Sequence, residues 1–284
     1  MILDKLAIKP ALGTKGYLDA EQYKDLRDRS TLSDDAFMLE LLEIAKENAI
    51  MPLSHFMVGA VALGSSGNCY VGASQDFQNN STCQCIHAEQ SVVAMAFLNQ
   101  EQRISKLAVN AAPCGYCRQF LFELDNAASL EILEPGKPKI TLEDLLPRAF
   151  SPSALGVKGG MLNTGKNNNL KLKEKSKNPL VLSAFESAKR SYSPYWPAYA
   201  GVALQTYDKQ IFVGSYLDNV AQSPALAPLQ VALVHLVQTG HYYSDIEQAV
   251  LVESPAAPVQ QHDVARMTLH AVNPSVELSL HELI

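Results

Sequence analysis

Two short runs constrain this chain more than any bulk property. His87, Ala88 and Glu89 stand in the first, and Pro113 followed by Cys114-Gly115-Tyr116-Cys117 forms the second. Residues 87–98, HAEQSVVAMAFL, and 114–124, CGYCRQFLFEL, both read as apolar helices, so each run occupies the first turn of a helix. Cys114 and Cys117 lie at i and i+3 and share a face, and the positive end of the helix favours the thiolates that bind Zn²⁺. His87 makes a third ligand, which implies one Zn²⁺ per chain. Structural zinc sites are usually closed by four protein ligands. Three leave a position for water, whose pKa the metal lowers to about 7, so the pattern implies catalysis. Two thiolates balance the charge of the ion, and Glu89 has the natural role of proton carrier. Cys83 and Cys85 read as buried thiols, with one alternative: Cys85, two residues before His87, could serve as a fourth ligand and close the site.

Composition narrows the partners. A chain of 284 residues with 47% hydrophobic and 18% charged residues is long enough for two domains with a large buried core. No apolar run approaches the roughly 18 residues that suggest a membrane span, and Asp4 and Lys5 interrupt the start before a signal-type stretch forms. No membrane partner and a cytoplasmic location are therefore expected. The net charge of −6 argues against a protein that coats nucleic acid, so the partner should be a small molecule. Five cysteines, four of them between Cys83 and Cys117, are no disulfide framework.

The chain also repeats itself. GAVAL at 59–63 is echoed by AGVAL at 200–204, VGA from Val71 by VGS from Val213, and Pro113 by Pro255, an offset of about 141 residues. The second copy has no ligands: APLQ at 227–230 matches HAEQ, and AAPV at 256–259 matches CGYC. Residues 1–45 form an N-terminal helical segment, with DAEQYKDL from Asp19 and SDDAFMLELL from Ser33 reading as capped amphipathic helices. The catalytic domain then spans 46–155, a polar, basic, Gly- and Asn-rich linker 156–178, and the degenerate domain 179–284. The linker's lysines carry no interleaved aromatics with which to stack bases, so no nucleic-acid partner is read from them. Strands at 58–63, 69–72 and 106–111, alternating with helices, point to a layered α/β sheet sandwiched by helices.

A His and a Glu two residues apart, followed by P-C-x-x-C, is the signature of zinc nucleobase deaminases. From about residue 35 to its end the chain resembles the cytidine deaminase family, in particular its long, two-domain, homodimeric bacterial type. The resemblance rests on HAE, PCGYC, SHFMVGA at 54–60 and Arg148-Ala149-Phe150. It implies a duplicated three-layer α-β-α fold and a homodimer with composite sites, and it implies hydrolysis of cytidine or deoxycytidine to uridine or deoxyuridine and ammonia. By that resemblance His87, Cys114 and Cys117 hold zinc, Glu89 shuttles the proton, and the Ala88 amide holds the base carbonyl. Phe56 packs on the pyrimidine, and Phe150 closes the neighbouring subunit's pocket.

One departure stands out. The family's Asn-x-Glu, which bonds the sugar hydroxyls, is replaced here by Ser74 and Asp76 in GASQDF. Both side chains are shorter, which opens the alternatives of a modified cytidine or another aminated ring as substrate. A silent zinc scaffold and an RNA editor are the rivals from other classes.

Overall fold

The computed structural model describes residues 5–163 and 167–284. Residues 1–4 of the expected N-terminal segment and 164–166 of the expected linker lie outside the described residues. The chain divides into two units, one of residues 1–76, 85–163 and 238–240, the other of 77–84, 164–237 and 241–284.

The first unit opens with α1 (Lys5–Leu12), β1 (Tyr17–Leu18), α2 (Ala20–Ser30) and α3 (Asp34–Ala45). Local chemistry sets these starts. The Gln22 amide donates to Asp19 Oδ1 at 3.0 Å while Gln22 Oε1 accepts from the Asp19 amide at 3.1 Å, and Ser33 caps α3 through the Ala36 amide. Next come β2 (Gly59–Gly64), β3 (Cys69–Ala73), α4 (Ala88–Leu98), β4 (Ile104–Val109), α5 (Gly115–Leu121), β5 (Glu131–Leu133), β6 (Ile140–Thr141) and α6 (Leu142–Leu145). The sheet order is β1-β3-β2-β4-β5-β6, with β4 and β5 parallel. Successive strand residues face opposite sides. Val61 and Val71 join Phe37, Met38, Leu41 and Leu42 of α3 in one core, together with Ile8 and Leu18, so the N-terminal helices share the sheet's core. Gly72, on the other face, admits α4: a Cβ there would strike the Val92 amide and the Ala88 carbonyl.

The second unit contains α7 (Pro179–Lys189), β7 (Ala200–Thr206), β8 (Ile211–Ser215), α8 (Pro228–Gln238), β9 (Ile246–Glu253), α9 (His262–Val272) and β10 (Leu278–Glu282), in sheet order β10-β9-β7-β8. Gln238 at the end of α8 falls in the first unit. The topology repeats the first unit: β7 is antiparallel to β8 and β9, as β2 is to β3 and β4, and β9–β10 is parallel, as β4–β5 is. Gly214 admits α8 at Pro228 and Ala232 as Gly72 admits α4. This is the duplicated α-β-α fold the sequence implies. Ala60 pairs with Gly72 and Val202 with Gly214, and both long strands bulge at matching places, Leu63/Gly64 and Gln205/Thr206. The strands therefore superpose at an offset of 142, one more than the GAVAL/AGVAL match, because a one-residue slip would turn every side chain to the wrong face.

The remaining differences from the sequence reading are local. β4 begins two residues earlier than expected because the bulge pairs Gly64 with Ile104, and it ends where the Asn110 side chain turns to the Gly59 amide. Within the expected linker 156–178, Met161 and Leu162 are buried, and Leu172 bridges Leu283. Among the described residues no helix is long and apolar enough to cross a membrane.

A buried carboxylate organises the β2–β3 turn. Glu101 accepts from Ser65 Oγ at 2.9 Å, from Tyr70 Oη at 3.1 Å and from the Gln102 amide at 3.0 Å, and it also accepts from the Ser66 hydroxyl. Burial raises its pKa, but the bonds from Ser66, Ser65 and the Gln102 and Arg103 amides outweigh burial and leave it below the ordinary 4.5. A folded-state pKa below the unfolded one adds stability that is full above the unfolded value and is lost as pH falls through the folded one. Glu101→Gln should lower the unfolding free energy by about 1.5–3 kcal/mol at pH 7. In urea titrations the gap to the wild type should narrow below about pH 4.5; a gap independent of pH would mean that the turn does not use the charge.

Candidate metal centre

α4 and α5 both start at a residue of the group that could hold a metal. His87 is the N-cap of α4, and its amide donates to Gln90 Oε1 at 3.1 Å. Cys114 is the N-cap of α5, and its sulfur accepts from the Cys117 amide at 3.4 Å, the bond a Ser or Asp cap would accept. The sheet positions both starts. Gly72 seats α4, while paired hydrogen bonds between Gln75 and Ile86, at 2.8 Å in each direction, fix the approach to His87.

His87 Nδ1 lies 3.6 Å from Cys114 Sγ and 3.2 Å from Cys117 Sγ, and the two sulfurs are 3.6 Å apart. A tetrahedral zinc with Zn–S of about 2.3 Å and Zn–N of about 2.0–2.1 Å would require about 3.5–3.8 Å for such edges; the two edges at Cys114 fall in that range, and the His87–Cys117 edge is about 0.3 Å short of it, so the donor set would accept the ion after a small opening at Cys117. Among the described residues this is the His/Cys/Asp/Glu group that could hold a metal, and Cys85 is outside it. Three donors would leave one position of a tetrahedral ion free.

Charge is poised for a metal. The Cys114 thiolate accepts from the Cys117 thiol and amide, which lowers its pKa to about 5 against the opposing effect of burial. Cys117 is pushed up by its bond to Cys114, by burial and by Glu89. Glu89 is buried beside Cys117; burial raises its carboxyl pKa, while its own amide and the Cys117 thiol oppose the shift.

The other expected residues differ in burial. Ala88 is fully buried in the first turn of α4, where helix amides lack intrahelical acceptors. Phe56 is 62% and Phe150 44% exposed. Ser74 and Asp76 are buried, and both bond the backbone of the segment that carries Phe56: Ser74 Oγ accepts from the Val58 amide at 3.0 Å, and Asp76 accepts from the Leu53 and Ser54 amides, each at 3.0 Å.

Sequence reasoning missed several supports. The Tyr116 ring sits 5.6 Å from the His87 ring, Arg118 donates to the Pro113 and Leu145 carbonyls at 2.8 and 2.9 Å, and Gln119 donates to the Phe150 carbonyl at 2.6 Å. Tyr116, Arg118 and Gln119 adjoin the cysteines in sequence, which was the one signal available. In the second unit the stretch 256–259 that matches CGYC precedes its helix, and the amides at the start of α9 donate to the Glu253 carboxylate, 2.7 Å from Gln261 and 3.2 Å from His262.

The family described as "Cytidine and deoxycytidylate deaminase zinc-binding region" matches residues 32–130 and, separately, 142–266. A cytidine deaminase of Aliivibrio fischeri is 37% identical over 281 residues, 98% of this chain and 94% of its own length. One from Yersinia pestis is 40% identical over 274 residues, 95% of this chain and 92% of the relative. Among solved structures, a cytidine deaminase from Mycobacterium tuberculosis is 30% identical, covers 42% of this chain and 99% of its own, and has a TM-score of 0.38.

Metal analysis of purified variants tests the ligand set. Zinc near one per chain is expected for the wild type, Glu89→Gln and Cys85→Ala, and zinc well below half for His87→Ala, Cys114→Ala and Cys117→Ala, since loss of one of three ligands leaves too few for retention. Zinc loss in Cys85→Ala would mean a closed, four-liganded site.

Proposed function

The chain belongs to the cytidine deaminase family, and on that premise we infer that it is a zinc-dependent hydrolase converting cytidine or deoxycytidine and water to uridine or deoxyuridine and ammonia. The observation that carries this reading is the three-ligand group of His87, Cys114 and Cys117 with the Glu89 carboxyl buried against Cys117.

His87, Cys114 and Cys117 hold the zinc. Zinc, when bound, supplies a Lewis acid that lowers the pKa of a water to about 7. Glu89 takes the proton of the attacking water, delivers it to ring N3 and returns a proton to the departing amine, so that C4 gains the oxygen and ammonia leaves. A carboxyl whose pKa burial has raised suits that two-way role. The Ala88 amide, in the first turn of α4, holds the base carbonyl. Phe56 packs on the pyrimidine, and Ser74 and Asp76 lie under its segment on the side of the sugar. The silent-scaffold reading required Cys85 to close the site, and the ligand group does not contain it.

The functional unit in this proposal is a homodimer in which Phe150 closes the partner's pocket; an aromatic ring 44% exposed on one chain supports a role across an interface. The domains are an N-terminal helical segment at 1–45, a catalytic domain at 46–155, a linker at 156–178 and a degenerate domain at 179–284. Cysteines 69, 83, 85, 114 and 117 are all free thiols, which supports a reducing, cytoplasmic setting and a place in pyrimidine salvage.

Ammonia release from cytidine and deoxycytidine is the direct test. Glu89→Gln should keep one zinc per chain and lose nearly all turnover, because Gln retains the size and reach of Glu but cannot cycle a proton; loss of zinc would make Glu89 a ligand instead. The composite site has its own test. Mixing Phe150→Ala chains with Glu89→Gln chains should regain part of the activity, since some heterodimers carry one pocket that is wild-type at both positions. Confirmed subunit exchange without recovered activity would place Phe150 in its own chain's pocket.

A further inference from the structure

The segment 53–59 has little apolar anchorage: Leu53, Phe56 and Met57 are 46%, 62% and 54% exposed, and His55 adopts a left-handed backbone at φ 54°. Such a conformation persists in a non-glycine residue only when its surroundings hold it. Here three side chains from elsewhere in the fold do so. Asp76 takes the Leu53 amide on one carboxylate oxygen and the Ser54 amide on the other. The Ser74 hydroxyl accepts from the Val58 amide at 3.0 Å and donates to the Val58 carbonyl at 3.3 Å. Asn110 accepts from the Gly59 amide at 2.7 Å and donates to the Met57 carbonyl at 3.3 Å. These bonds bracket Phe56, whose own amide donates to Ser54 Oγ at 3.2 Å. The clips are anchored to the metal centre. Gln75, between Ser74 and Asp76, is strapped to Ile86 next to His87, and Asn110 leads through Pro113 into Cys114.

We infer that Ser74, Asp76 and Asn110 are positioning residues that fix the pose of the Phe56 ring relative to the two ligand helices, and that Asp76 acts on nucleoside binding through that ring. The inference rests on the reading that a cytidine nucleoside binds against Phe56. Each carboxylate oxygen of Asp76 takes one amide of the segment, and the Ser74 hydroxyl both accepts and donates within its backbone, so loss of either side chain frees the segment whatever sugar the nucleoside carries. The consequence is a dependence on the clip that is the same for every sugar. Because the Phe56 contact is made equally in the bound substrate and the transition state, losing the clip should raise KM and leave kcat unchanged.

The test measures wild type, Asp76→Asn and Asp76→Ala on cytidine, 2′-deoxycytidine and 2′,3′-dideoxycytidine, with zinc content and amide hydrogen exchange of residues 53–58. Asn keeps one acceptor oxygen and so one amide, while Ala keeps none. Expected are a rise in KM of about tenfold for Ala and about threefold for Asn, by the same factor on all three nucleosides, with kcat and zinc unchanged. Exchange at Leu53 and Ser54 should accelerate in the same order. A KM rise seen with cytidine and deoxycytidine but absent with dideoxycytidine would make Asp76 a direct sugar ligand and overturn the inference, as would unaltered KM on all three. Should Asp76→Ala fail to fold, Asp76→Asn and Ser74→Ala carry the same comparison. If the wild type releases no ammonia from any of the three, the proposed reaction itself fails, while the amide exchange still decides whether Asp76 holds the segment.

Discussion

Two helix starts aimed at one point are the constraint on which the rest of the first unit depends. The first turn of a helix presents amides with no intrahelical acceptor and a partial positive charge. At α5 the Cys114 sulfur takes the place of a capping oxygen and accepts the Cys117 amide, so one atom serves both helix and metal. At α4 the cap residue is His87, and the Gln90 side chain takes its amide in turn. Neither start could meet the other without the sheet. Gly72 lets α4 lie against β3 at backbone distance, and the antiparallel pairing of β2 with β4 brings Asn110 and the run into Cys114 beside the strand that leads out from Phe56.

The second unit acts as an internal control for which residues serve fold and which serve chemistry. Gly214 repeats Gly72, Gln230 accepts the Ala227 amide at 2.7 Å as Gln90 accepts that of His87, and the bridges of Leu217 to Tyr192 and Leu226 repeat those of Gln75 to Ile50 and Ile86. These features recur where the described residues hold no such donor group, so packing and capping suffice to account for them. His87, Glu89, Cys114 and Cys117 have no counterparts, and with them goes the short helix start at the cysteines. In the second unit α9 begins only at His262, where the buried Glu253 carboxylate accepts the first amides. A carboxylate offers the helix end the negative charge that a capping thiolate offers α5. The same topology thus has an anionic acceptor at this helix start in both units, a sulfur in one and a carboxylate in the other.

Legibility in the sequence followed the distance over which each interaction acts. The candidate metal group and the carboxylate beside it were legible because each pair is local: His87 with Glu89, Cys114 with Cys117, each within one turn of one helix. The caps at Asp19 and Ser33 were legible for the same reason. The repeat was legible as similarity, yet its offset missed by one residue along β2, since only pairing with Gly72 and Gly214 distinguishes Gly59 opposite Gly201 from Gly59 opposite Ala200. Asn110 gave no signal at all, because its partners, Met57 and Gly59, come from a strand far away in sequence. Ser74 and Asp76 were noticed as departures from a pattern, but their attachment to residues 53–58 depends on a backbone path that the sequence does not reveal.

The open coordination of the site carries an energetic consequence for the whole first unit. Cys114 and Cys117 drive one another's pKa values in opposite directions, with burial and Glu89 adding to the rise at Cys117. A cluster of two thiols and a carboxyl packed this closely is a local concentration of negative charge that the fold must either neutralise with protons or exchange for a metal. The metal resolves both thiols at once, and whatever free energy it gains from the preformed triad is added to the folded state, because the unfolded chain holds no such arrangement. The groups that bracket the triad, Gly72 under α4, Gln90 on His87 and Arg118 on the Pro113 carbonyl, hold the two helix starts in place without belonging to the triad. They keep three donors within 3.6 Å of one another in advance, so a cation held there would meet a nearly preformed site.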